Sequence, residues 1–187
     1  MSAHSPRRWI AASALWSLAE ATVFFVVPDV ILSATTVRFG ARAGVVAALA
    51  AAVAAAAGGL LVYLATADGL VDSFALLDRL PAISAAMIAG VRAELAGGSW
   101  PAAMLWGSFS GIPYKLYAAS AAAAAKPLGL FLLWSVPIRL TRFVLIVGAA
   151  ALLRPLVLSW LGPRLALLPL ALMWIAFYSV FWLRMPG

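Results

Sequence analysis

The chain has 187 residues, 66% of them hydrophobic and only 10% charged, which excludes a water-soluble domain with a polar surface around one core. Its formal charge of +7 is scattered along apolar segments, a pattern that suits anionic lipid headgroups and not nucleic acid. Cysteine is absent and His4 is the single histidine, so disulfides and thiolate chemistry are excluded, and neither a metal nor a cofactor is expected.

The length has room for about three to five spanning helices at ~20 residues each, in one polytopic membrane domain over 1–187. Its start, "SPRRWIAASALWSLAEA", has the outline of a leader: a basic pair, a short apolar run and the triplet Ala19-Glu20-Ala21. Apolar sequence continues well past that triplet, so a retained first segment is expected.

Residues 9–38 hold Glu20, Pro28 and Asp29 within "VVPDVIL". A straight helix would put the two carboxylates about 180° apart around its axis, leaving one facing lipid. A turn at Pro28 brings both into one protein-lined cavity, where the backbone freed by proline can be solvated. A re-entrant hairpin is therefore expected over 9–38, with a kinked crossing helix as the alternative.

Residues 43–67 carry no charge and predict a spanning helix of about 38 Å against a hydrocarbon core of ~30 Å. Gly44, Gly58 and Gly59 in it suit close helix packing. Residues 68–96, with Asp68, Asp72, Asp78, Arg79, Arg92 and Glu94 among apolar residues, predict an amphipathic connector at the interface, the three aspartates solvated. After "AGGSWP", residues 100–125 carry Gly111, Pro113 and Lys115, and a second re-entrant hairpin is expected with Lys115 at its tip.

Further spans are predicted over 127–153 and 165–183, about three full crossings in all. Trp100, Trp106, Tyr114, Tyr117, Trp134 and Trp160 are expected as interfacial anchors. An offset of 85 carries Pro28 onto Pro113 and Gly44 onto Gly129. One crossing separates the hairpins, so they would enter from opposite sides as an inverted repeat. Arg7, Arg8, Arg38, Arg42, Arg154 and Arg164 fall on one side, and Arg79, Arg92, Lys126 and Arg184 on the other, which favours a cytoplasmic N-terminus.

"SVPIRLTRFVLIV" is the strongest chemical signal. Arg139 and Arg142 lie three residues apart on one helical face, too deep to snorkel. Each costs ~2.5 to 3.5 kcal/mol at the bilayer centre unless partnered. Glu20 and Asp29 are the available partners. Arginine's planar fork suits phosphate and carboxylates can trade protons, so the four read as a phosphate-binding, proton-coupling chamber. A buried ion pair that only fixes helices, or an interfacial placement of the arginines, stays open. Lys115 either assists a headgroup or marks the interface. No nucleophile has a histidine base and no Gly-rich phosphate loop follows a strand, so an enzyme is not expected.

Glu20 followed by "VVPDVIL", then "GGLLVY", "GIPYKLYAASA" and "PIRLTRFVLI" resemble in order and spacing the DedA (VTT, or SNARE-associated) family, especially its short YqaA-like branch, over residues 15 to 150. The resemblance implies two facing re-entrant hairpins and proton-linked flipping or scrambling of lipids such as polyprenyl phosphates, in a bacterial-type inner (plasma) membrane. Glu20 and Asp29 take the places of the family's first-hairpin acids, and Arg139 and Arg142 those of its late basic motif. The family's second-hairpin arginine-proline-glycine-arginine reads Ile112-Pro113-Tyr114-Lys115 here. Membrane lipids with phosphate headgroups are the expected partners, and assembly with further copies of the chain is left open.

Overall fold

The computed structural model describes residues 5–69 and 72–184, the side chain of Arg184 excepted. His4 and the Arg184 charge counted above lie outside the described residues. Every regular element among the described residues is a helix.

α1 (Pro6–Thr22) opens with Ser5 accepting from the Arg7 N–H and with Pro6 in the first turn, where its missing N–H costs nothing. The chain leaves helical geometry after Thr22, and Pro28 caps α2 (Asp29–Phe39). Trp9 near the start of α1 meets Phe39 at the end of α2, ring centroids 5.8 Å apart. The second element therefore runs back toward the end where the first began.

α3 (Ala41–Ala67) is 27 residues of alanine-rich helix, about 40 Å long. Its small residues lie against α1: a Cβ on Gly58 would stand 3.0 Å from the Leu18 carbonyl oxygen and 2.7 Å from Ala21 Cβ. The connector folds into α4 (Ser73–Asp78) and α5 (Ala85–Ala96), with Asp68, Asp72 and Asp78 exposed.

α6 (Trp100–Ser110) ends at Gly111, whose φ of 88° is the left-handed conformation that favours glycine at a helix C-terminus. Pro113 caps α7 (Tyr114–Ala123). Lys126 Nζ donates to the Gly97 carbonyl at 3.5 Å, closing the two ends of this second helix–break–helix unit.

Among the described residues, α8 (Leu128–Leu165) and α3 are the two helices long and apolar enough to cross a membrane. A span ending at Leu153 was expected, yet α8 runs on to Leu165 with Pro137, Pro155 and Pro163 inside it and a change of direction at Gly162. Arg154 and Pro155 do not stop it because the Arg154 Nε–H reaches the Val37 carbonyl at 3.0 Å, which leaves the helix packed on α2. α9 (Leu168–Arg184) is apolar but only 17 residues long, and starts three residues later than expected from the charge boundary at Arg164.

The bundle has two ends. At one, Val37, Arg38, Arg154 and Arg164 share a cavity. At the other, Tyr63 donates to the Lys126 carbonyl at 2.5 Å. α3 packs against α1, α2, α7 and α8 between them. Large apolar side chains cover the outside: Leu133, Leu152 and Trp160 are 68%, 81% and 82% exposed. Of the six aromatics expected as anchors, Trp106, Trp134 and Trp160 face outward, whereas Trp100, Tyr114 and Tyr117 are buried. The correction has a physical cause: the Tyr114 and Tyr117 hydroxyls find internal partners in Ser135 and Glu94, so their polar tips need no water.

Candidate functional site

The two breaks, at residues 23–28 and 111–113, converge on a cavity of about 100 Å³ between the ends of the bundle. Glu20, Asp29, Lys115, Arg139 and Arg142 all line it. The five ionisable residues put forward as site candidates from the sequence thus meet at one place, along with the predicted break residues Pro28, Gly111 and Pro113.

Arg139 and Arg142 reach it from one face of α8. Arg139 is 5% exposed and its Nη2 pairs with Glu20 Oε2. Its guanidinium carbon also lies over two aromatic rings, 5.1 Å from the Tyr114 centroid and 4.9 Å from that of Phe143. These rings favour a cation in a slot that would otherwise be purely apolar.

Arg142 donates through Nε at 2.9 Å and Nη2 at 2.5 Å to the same Asp29 oxygen, and through Nη1 at 2.5 Å to the Ser108 carbonyl on α6. One guanidinium therefore ties α8 to both broken segments. Asp29 is at the first position of α2, where the helix N-terminus also favours negative charge. Its other oxygen, Oδ1, and Arg139 Nε are buried without a partner.

Lys115 directly follows the second break and is buried there, not open to the surroundings. It lies in the first turn of α7, 2% exposed, with Nζ donating at 2.5 Å to the Phe24 carbonyl in the opposite break. That bond belongs to a set: Trp16 Nε1 donates to Val26 O at 2.9 Å, and Val27 N donates to the Tyr178 hydroxyl at 2.9 Å. Backbone groups released where helix 1 stops are satisfied by side chains from α1, α7 and α9, as unwound backbone away from water requires.

Three residues or segments at the site carried no site signal in the sequence. Tyr178 lies in an aromatic run that reads as an interfacial belt. Ser108 contributes only its carbonyl, to which any residue type is equivalent. Pro81, Ala82 and Ile83, expected in an interfacial connector, line the cavity, and Ala82 has a positive φ of 71°.

Chemically, three cations against two carboxylates leave one positive charge unmatched, and hydrogen-bonding capacity remains at Asp29 Oδ1 and Arg139 Nε. The cavity is smaller than the ~300 Å³ usual for a small-molecule site, and its arginines are held by the two acids. Family models, curated proteins and solved structures were compared with the chain, and none matches.

Proposed function

We propose that this chain is a multi-pass membrane protein in which residues 9–38 and 100–125 enter the bilayer as facing re-entrant hairpins, and that the chamber at their tips moves a phosphate-bearing lipid. The carrying observation is the convergence of Glu20, Asp29, Lys115, Arg139 and Arg142 from four separate helices on one cavity between the two ends of the bundle. Ionisable groups that far inside an apolar bundle are costly even when paired, and those retained there commonly mark a pathway.

The register of the two broken units agrees with an inverted repeat: an offset of 85 carries the start of α2, Asp29, onto the start of α7, Tyr114, and the cap Pro28 onto the cap Pro113. α9 supplies a third, shorter crossing. With Arg38, Arg154 and Arg164 gathered at one end, that end faces the cytoplasm of a bacterial-type inner membrane. The DedA-like order of motifs is the family assignment this geometry favours.

The proposed step exchanges partners. Protonating Asp29 weakens its hold on the Arg142 fork, which then binds phosphate oxygens in its place, and Lys115 adds charge beside it. Returning the proton restores the ion pair and expels the headgroup. Phe177, Tyr178 and Phe181 of α9 wall the chamber, so displacement of α9 widens it for a lipid. The contrasting reading is a clamp that only fixes helices, and the full pairing of Arg142 with Asp29 and Ser108 is the observation in its favour.

Proteoliposomes loaded with a fluorescent polyprenyl phosphate, and in parallel a fluorescent phospholipid, test the proposal. Wild-type protein accelerates movement of at least one lipid, and Arg142→Gln and Lys115→Gln, eluting as monodisperse species, lose it. No movement above empty vesicles from protein shown to be inserted overturns transport. Wild-type lipid movement by a charge-swapped Asp29→Arg/Arg142→Asp chain shows that this pair only fixes helices, because a phosphate site does not tolerate relocating its arginine.

A further inference from the structure

At the end of the bundle away from Lys126, α8 passes Arg154, turns at Gly162 and re-enters the bundle as α9. Gly162 has φ 67° and ψ 172°, a conformation L side chains avoid, and Pro163 fixes the following residue. This turn brings Arg164 back toward Arg154 and toward Arg38 on α2. The three arginines line a cavity of about 540 Å³ whose remaining wall includes Phe39, Leu158 and Leu167.

No residue used by the central chamber lines this cavity. Along α2 from Asp29 to Arg38 the rise is about 13 Å, and along α8 from Arg142 to Arg154 about 18 Å, so the two are distinct places. All six Asp and Glu side chains are elsewhere: Glu20 and Asp29 in the chamber, Asp68, Asp72 and Asp78 beyond the far end of α3, and Glu94 bonded to Tyr117. Arg154 is half-buried and anchored through Nε on the Val37 carbonyl at 3.0 Å; Arg38 stacks on Phe39 at 5.7 Å. None of the three makes an ion pair among the described residues.

We infer that this cavity is a second, separate anion site that takes the phosphoryl headgroup of an anionic phospholipid from the surrounding leaflet. A free phosphate ion presents the same oxygens to the same arginines. The cavity's size is that of a ligand pocket and well above what a bare phosphate fills, its wall sets Val37, Leu158 and Leu167 beside the arginines, and Leu165, between the lining residues Arg164 and Ala166, stands exposed where acyl chains would lie. Arginine forks on the phosphate and apolar contacts on the glycerol and chains are the chemistry such a lipid needs. The inference rests on the membrane placement proposed above, not on transport.

The full chain, purified in a neutral detergent, is titrated with short-chain phosphatidylglycerol, with phosphatidylcholine of the same chain length, and with inorganic phosphate, and bound species are counted by native mass spectrometry. Arg38→Gln/Arg164→Gln removes two exposed cavity arginines, and Arg7→Gln/Arg8→Gln removes two exposed arginines outside it as a charge-matched control. One phosphatidylglycerol binds wild type in preference to phosphatidylcholine, and its affinity falls roughly 25-fold in the cavity variant at about fivefold per arginine, but little in the control. Equal loss in both variants overturns the site in favour of diffuse attraction. Inorganic phosphate binding as tightly, with the same arginine dependence, overturns the lipid assignment. Lipid movement in proteoliposomes is read on the same variants, so a chain that retains phosphatidylglycerol but moves nothing refutes the transport proposal alone.

Discussion

Arg139→Met strips the partner from a buried carboxyl while keeping an extended side chain in the slot between Tyr114 and Phe143. Glu20 is only 5% exposed, so its carboxylate is left buried without the guanidinium that pairs it. Removing one partner of a buried ion pair costs about 3 to 5 kcal/mol. Loss of the guanidinium from two ring faces adds about 1 kcal/mol after the thioether's own attraction to the rings is credited. A destabilisation of about 4 to 6 kcal/mol results.

The pairing gives this number a signature. Glu20→Gln strands the Arg139 guanidinium in the same slot and costs a similar amount, about 3 to 5 kcal/mol. Glu20→Gln combined with Arg139→Met recovers most of the loss. Reversible unfolding in mixed micelles, followed by tryptophan fluorescence, measures all four chains. A deficit for Arg139→Met below about 1 kcal/mol, or a double variant no more stable than either single one, would refute the reasoning.

Three other outcomes follow from the packing. Gly58→Leu drives a side chain into Ala21 and the Leu18 carbonyl and destabilises the chain by about 1 to 3 kcal/mol, whereas Gly90→Leu, with no neighbour within 4 Å of its Cβ position, does not; thermal unfolding of the two compares them directly. Tyr178→Phe leaves the Val27 N–H without its acceptor at about 1 to 3 kcal/mol, read as faster amide exchange confined to residues 24–30 and not across the bundle. Trp174→Phe removes a donor to Ser33 Oγ at 3.1 Å, which loosens α9 from α2 and raises exchange at residues 168–178 while leaving α3 unchanged.

The four central charges were visible in the sequence because an ionised group inside an apolar run has few ways to be satisfied, and each restricts its partner. Pro28, Gly111 and Pro113 were visible because their effect on backbone is local. What the sequence hid depends on how distant elements return. Tyr178 and Trp174 look like an interfacial belt until α9 folds back at Gly162 and sets Tyr178 against the first break and Trp174 against α2. Arg154-Pro155 resembles a helix end, yet the arginine finds the Val37 carbonyl and the helix goes on. Tyr114 and Tyr117 resemble anchors because nothing local announces Ser135 or Glu94 as partners for their hydroxyls.

The central claim is that the two breaks meet from opposite sides of a membrane, and the natural absence of cysteine makes it directly measurable. Single cysteines at Ser5, Ala41, Gly98 and Ala124, all exposed and flanking the two helix–break–helix units, are labelled in intact spheroplasts and then in lysed ones with a membrane-impermeant maleimide. Ser5 and Ala41 should react together only after lysis, and Gly98 and Ala124 together before it. Labelling of Ser5 and Ala41 from opposite sides, or of Gly98 and Ala124 from opposite sides, would mean that the broken helices cross, and would contradict the account.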